Sequence, residues 1–182
     1  MQQQDRRRVF AARFAKKNVQ FADAHCSKSR FCHRRIFSGS LTKGALTAKN
    51  REQIALAVSQ TNGCEYCLAA HSTIGKMVGL NADQIRDSRL ATAVDSKTSA
   101  LLQFARNVVD TRGHVADEDL QGLREFGFSD GEIAEVVANV ALSLFTNYFN
   151  HVANTDVDFP VAEKIEDHHE ACATIPGCDP TR

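Results

Sequence analysis

The chain has no surplus of either charge: 22 Lys and Arg stand against 22 Asp and Glu over 182 residues. A balance of that kind leaves no chain-wide electrostatic footprint for nucleic acid. No apolar run approaches the ~18–20 residues of a membrane span, and no signal-peptide apolar segment follows the early arginines. The expectation is a soluble, cytoplasmic protein with no membrane and no nucleic-acid partner. No stretch sustains the two-residue alternation of a strand, which removes sheet architectures and leaves an all-α fold. The six cysteines do not suggest a disulfide framework, a pattern of short secreted chains.

What charge there is lies unevenly. Residues 1–37 hold ten Lys/Arg and two Asp, and the remainder twelve Lys/Arg against twenty Asp/Glu. The basic segment fits a flexible, solvated terminus, a transit-type amphipathic helix or a nucleic-acid arm. From Ser38 to Pro160 the text is orderly enough for one compact domain. Residues 161–182, with Pro176-Gly177 and Asp179-Pro180, read as a flexible tail. His168, His169, Cys172 and Cys178 in that tail are possible metal chelators, set against a plain mobile end.

About six helices are expected between those limits, packed in layers. Thr47 caps a helix over about 48–61 with Ile54, Ala57, Val58 and Thr61 on its apolar face. A second runs from about Cys64 to Val78 and stops at Gly79. Asn81 with Gln84 three later is a capping-box variant for a short helix near 82–91. Asp95 or Ser96 opens the next, with Leu101, Phe104, Ala105, Val108 and Arg112 on one face and Gly113 closing it. Leu120, Leu123 and Phe126 follow Asp117 in a shorter helix ended by Gly127. Ser129 and Glu132 form a capping box, with Phe128 and Ile133 as hydrophobic staple, for a last helix out to about Ala153. Its inward stripe reads as Ile133, Val136, Val137, Val140, Leu144 and Tyr148. Ala138, Ala141, Leu142, Phe145, Phe149 and Val152 broaden that stripe until the helix is apolar most of the way round. Such a helix needs cover on more than one side. A homo-oligomer would supply it, as would a central place in its own domain.

One short stretch concentrates the chemistry: Asn62-Gly63-Cys64-Glu65-Tyr66-Cys67-Leu68-Ala69-Ala70-His71. Residues three and four apart share a helix face, so Cys64, Cys67 and His71 form one stripe of two thiols and an imidazole. Asn62-Gly63 is turn chemistry that puts the stripe at a helix N-terminus. Free N–H groups and the helix dipole there favour a thiolate, lowering a free-thiol pKa of ~8.5 towards ~3.5–7.5. The same three residues could instead bind zinc, with His151 or Glu52 as fourth ligand, or be inert packing. Covalent haem is disfavoured because Leu68, not histidine, follows the second cysteine.

Glu52, eleven residues, Cys64-Glu65-Tyr66-Cys67, three residues and His71 together resemble the core of alkylhydroperoxidase D, within the carboxymuconolactone decarboxylase-like superfamily. Lys49 to Ser59 is similar to the first core helix of that family, and Phe145-Thr146-Asn147-Tyr148-Phe149-Asn150-His151 through Asp156 to Pro160 resembles the end of its peroxidase-related branch. Tyr66 stands where the best-known member has histidine, and residues 1–37 do not resemble the family's N-terminal segment. The resemblance implies a peroxidase that reduces hydrogen peroxide or organic hydroperoxides and is recycled by an external dithiol. It implies Cys67 as the peroxide-attacking residue, Cys64 as proton donor and disulfide partner, His71 as base and Glu52 as the group that orients the relay or shuttles a proton. It implies no bound cofactor or metal, and assembly as a trimer or hexamer. A non-redox decarboxylase-like enzyme and a redox- or zinc-responsive interaction protein stay open beside it, although the former relatives generally lack the dithiol.

Overall fold

The structure, a computed structural model, describes residues 44–165 of the chain. The basic segment 1–37, the expected domain start at Ser38 and the His/Cys tail therefore lie outside the described residues. Those described form six α-helices and no strand: α1 Ala48–Thr61, α2 Glu65–Met77, α3 Ala82–Arg89, α4 Ser96–Asp110, α5 Asp117–Glu125 and α6 Asp130–Ala153. The expected all-α class holds, and no helix among them is long and apolar enough to cross a membrane.

Local chemistry sets the helix ends. Thr47, Asn81, Asp95 and Ser129 each accept from a backbone N–H in the first turn of the helix that follows. Such caps satisfy donors that have no partner inside the helix. Asn81/Gln84 and Ser129/Glu132 close full capping boxes. The glycines after α2, α4 and α5 carry positive φ, as helix-ending turns require.

α1 is the centre. It packs on α2, α4, α6 and α3, and Ile54, Leu56, Ala57 and Val58 have no exposed surface. Burying the Ile, Leu and Val side chains contributes roughly 1.5–3 kcal/mol each. The main core joins Ile54, Ala57 and Val58 to Leu101, Leu102, Phe104 and Ala105 of α4, Leu123 of α5 and Ile133, Val136 and Val140 of α6, while Leu56 packs with Leu80 and Ile85 in a smaller cluster. The staple pair Phe128 and Ile133 lies in the same cluster.

Apolar residues taken as inward-facing on periodicity do not all face inward. Val137 is 44% and Tyr148 55% exposed. The buried stripe of α6 is instead Ile133, Val136, Val140, Ser143, Asn147 and Asn150. Beyond Val140 it turns polar, because that half of the helix lies against the turn carrying the cysteines rather than against the core. Phe145, Tyr148 and Val152 are left on the outside with Val137. Phe126 is 44% exposed, past the end of α5. Arg112 lies outside α4 with φ 56°, in the turn that ends it.

Two tethers fix the ends of the described chain. The buried Glu135 carboxylate of α6 accepts from the N–H groups of Ala45 (2.7 Å) and Leu46 (3.1 Å), pinning the segment before α1. A Cβ on Gly44 would collide with that carboxylate, so any side chain there would have to displace the acceptor. After α6, Asn154 takes the left-handed conformation (φ 48°, ψ 54°) and turns the chain back. Phe159 then sets its ring edge-on to Tyr66 of α2 at 5.7 Å.

Candidate active site

The α1–α2 turn builds the site. α1 ends in a Schellman arrangement: Gly63 N–H reaches the Gln60 carbonyl (3.1 Å), and Cys64 N–H reaches that of Ser59 (2.9 Å). Gly63 carries φ 63°, which glycine adopts without a Cβ penalty. The turn leaves Cys64 extended as the N-cap of α2, where its side chain makes no capping bond. Cys67 sits one turn in, so both sulfurs lie at the positive end of the helix. Both are free thiols and buried, 1% and 3% exposed.

α6 closes the site from the other side. Asn150 Nδ2 donates to Cys67 Sγ at 3.2 Å. Cys64 Sγ lies 3.9 Å from the Asn147 carbonyl, which can accept its S–H. The Asn147 side chain is tied at both ends: its Nδ2 donates to Ser59 Oγ (3.2 Å) and its Oδ1 accepts from Asn62 Nδ2 (2.9 Å). A fully buried amide is tolerated because both its polar ends are paired. On the opposite flank, His71 Nδ1 donates to Glu52 Oε2 at 2.7 Å. A carboxylate only accepts, so the contact puts a proton on Nδ1 and leaves Nε2 as the ring nitrogen that can gain or lose one. Arg51, Glu52, Ala55 and His71 line a pocket of about 180 Å³ with Asn139, Leu142, Ser143 and Thr146 of α6.

The two thiols are driven apart. A hydrogen bond from Cys64 lowers the Cys67 pKa from 9.0 to about 6 against the opposing effect of burial, with help from Asn150, Asn147 and the positive field of His71. The bond to Cys67 and then burial push Cys64 far above the ordinary thiol range. The pair therefore ionises once near neutrality, at Cys67, with Cys64 holding its proton. Two neighbouring thiols that share a proton titrate as a pair.

All four residues singled out in the sequence, Glu52, Cys64, Cys67 and His71, fall in this one region. Asn147 and Asn150 were not singled out as site residues. Their signal was a polar residue recurring at a buried helical register in an otherwise apolar helix. His151 does not line the site. It is exposed, with its ring 6.4 Å from that of Tyr148. The zinc alternative needed His151 or Glu52 as fourth ligand, but His151 faces outward and Glu52 is engaged by His71. No group of three or more His, Cys, Asp and Glu among the described residues is arranged to hold a metal ion. Tyr66 packs on Phe159, and burial, then Asp158 beside it, raise its pKa.

Comparison with known proteins agrees with the fold. The model of the carboxymuconolactone decarboxylase family matches residues 34–111. An alkyl hydroperoxide reductase AhpD of Anaeromyxobacter sp. (strain K) is 32% identical over 98 residues, covering 52% of this chain and 53% of that protein. The chain thus matches about half the length of that curated relative. An AhpD-core, peroxidase-related protein of Ralstonia eutropha JMP134 superposes with a TM-score of 0.59 at 29% identity, over 68% of this chain and 70% of that one. A peroxidase-related protein of Silicibacter sp. TM1040 shares the fold at TM-score 0.61 and 22% identity, over 68% and 64% of the two chains.

The electrostatics predict a pH profile. Alkylation of Cys67 in the reduced protein, read by peptide mass spectrometry, should follow an apparent pKa of about 6, against ~8.5 for a free thiol, while Cys64 stays unreactive. His71→Ala removes a positive field and should move the Cys67 profile upward. Because the Cys67 pKa is depressed on folding, its contribution to stability is complete above the unfolded value of 9.0 and is lost as pH falls through about 6.

Proposed function

Since the chain belongs to the carboxymuconolactone decarboxylase-like superfamily, we propose that it is a thiol-dependent peroxidase of the alkylhydroperoxidase D kind, acting on hydrogen peroxide or organic hydroperoxides. The observation that carries the reading is the asymmetry of the dithiol: a donor-surrounded Cys67 beside a Cys64 that keeps its proton. An inert pair of buried cysteines has no need of Asn150 on one sulfur and a Glu52–His71 pair alongside. A non-redox decarboxylase would have no use for the dithiol.

The steps follow from the protonation states. The Cys67 thiolate attacks one peroxide oxygen, and the O–O bond breaks heterolytically. Cys67 becomes a sulfenic acid, and the leaving alkoxide or hydroxide takes the Cys64 proton. Cys64, now a thiolate, attacks the sulfenic sulfur. The S–S bond forms, the S–O bond breaks and hydroxide departs as water with one further proton. His71, held through Nδ1 by Glu52, takes up and gives back a proton at Nε2, and so serves as the local base and proton store. The pocket at Glu52 and His71 gives that pair access to solvent for proton exchange. An external dithiol returns two electrons and two protons by thiolate exchange.

The homo-oligomer, a trimer or a hexamer made from two trimers, also stands as a proposal. Val137, Phe145, Tyr148 and Val152 form an exposed apolar stripe on α6, and a second subunit is the cover it calls for.

Two experiments test these readings. Cys67→Ser should abolish turnover, and Cys64→Ser should let a sulfenic acid accumulate at Cys67; trapping it at Cys64 instead would reverse the roles. Light scattering at low micromolar concentration should give a multiple of 20.0 kDa. A monomer with full activity would defeat the assembly proposal and leave the dithiol chemistry standing.

A further inference from the structure

The buried end of α6 and the turn after it make a relay that ends on sulfur. Asn150 is buried, 9% exposed, and its Nδ2 donates to Cys67 Sγ at 3.2 Å. The other end of the amide is also held: Thr155 Oγ1 donates to Asn150 Oδ1 at 2.9 Å. Thr155 is itself placed by the left-handed turn at Asn154 and by its own N–H, 3.2 Å from the Asn150 carbonyl. An asparagine amide has two nearly isosteric orientations, with opposite electrostatic consequences. One presents N–H to the sulfur and the other presents a carbonyl oxygen. A hydroxyl can pair with either end of the amide, but a thiolate only accepts, so beside ionised Cys67 the first orientation alone pairs both ends, with Thr155 donating to Oδ1.

We propose that Asn150 is a catalytic hydrogen-bond donor to the Cys67 sulfur and that Thr155, beyond the end of α6, is the positioning residue that keeps its N–H aimed there. This rests on Cys67 being the attacking thiolate. In the first step the negative charge of Cys67 passes to the departing oxygen. A donor on the sulfur keeps the thiolate populated at neutral pH inside a buried site, where an unpartnered anion would take up a proton. The titratable groups around Cys67 are Cys64, Tyr66 and His71 of its own helical segment and, through His71, Glu52 of α1. From α6 the site receives amides, Asn147 and Asn150.

The segment carrying Thr155 is anchored further along as well. Phe159 packs on Tyr66, between the two cysteines in sequence. Glu163 acts electrostatically on the buried Arg89, which donates from Nε to Gln60 Oε1 of α1 at 2.9 Å. The Phe159–Tyr66 contact ties the segment after α6 to α2, on the same side as the dithiol.

The test is the pH profile of iodoacetamide alkylation at Cys67 in the full reduced chain, for wild type, Thr155→Val, Thr155→Ser and Asn150→Asp. Thr155→Val keeps the shape and removes the donor. Its apparent pKa should rise by about one unit, leaving about fivefold less thiolate at pH 6. Thr155→Ser should restore the wild-type profile, an outcome that a purely structural role of the threonine methyl would not give. Asn150→Asp, which sets an acceptor against the sulfur, should raise the pKa further. Thermal melts of each variant confirm that it is folded. A folded Thr155→Val with the wild-type profile would overturn the role of Thr155, and an unchanged Asn150→Asp would overturn the donor itself. A wild-type profile at the ordinary thiol value would overturn the thiolate reading underneath both.

Discussion

A sulfur anion kept out of water needs donors fixed around it, and the rest of this fold can be understood as the means of fixing them. Cys67 is 3% exposed, and an anion so buried persists only where hydrogen bonds and opposite charge offset its lost hydration. The donors come from separate parts of the chain: Cys64 from the N-cap of the same helix, Asn150 and Asn147 from α6, and the positive field of His71 from one turn further along α2. Hydrogen bonds to a charged group contribute roughly 1.5–3 kcal/mol each. A few of them suffice to move a thiol by several pH units, since one unit corresponds to about 1.4 kcal/mol. A neighbour that keeps its own proton completes the arrangement, because two adjacent thiolates would repel.

That requirement explains why α6 has two characters. Its first half presents Ile133, Val136 and Val140 to the main core. Its second half presents Ser143, Asn147 and Asn150 at the same register. α1 works in parallel. Its apolar face makes the core, its C-terminal Schellman turn delivers Cys64, and Glu52 reaches across to His71. The helix that carries most of the packing is therefore also the one that sets the position of the dithiol. A cavity in α1 would disturb the reactive pair as well as stability.

Helix starts were legible in the sequence because N-caps are local. Thr47, Asn81, Asp95 and Ser129 each cap the helix they were expected to open. The cysteines, Glu52 and His71 were legible because their spacing is itself a statement of shared faces and a known motif. Asn150 was not, because an asparagine in a helix usually signals a solvated face, and only tertiary contact reveals that this one is buried on a sulfur. Val137 and Tyr148 misled for the converse reason. Periodicity assigns apolar residues to the inside, whereas here the inside is polar where the chemistry is and the apolar residues face out. His151, considered as a possible fourth zinc ligand, lies one residue of helical rotation beyond Asn150 and faces outward.

The central claim is that Cys64 and Cys67 act as one two-electron unit toward peroxide. The direct measurement is titration of the fully reduced protein with a hydroperoxide, followed by peptide mass spectrometry under conditions that block thiol exchange. The account predicts that one equivalent of peroxide converts the pair to an intramolecular Cys64–Cys67 disulfide, with one equivalent of alcohol or water released from the cleaved O–O bond. Both cysteines remaining as free thiols after excess peroxide, in folded protein, would contradict it.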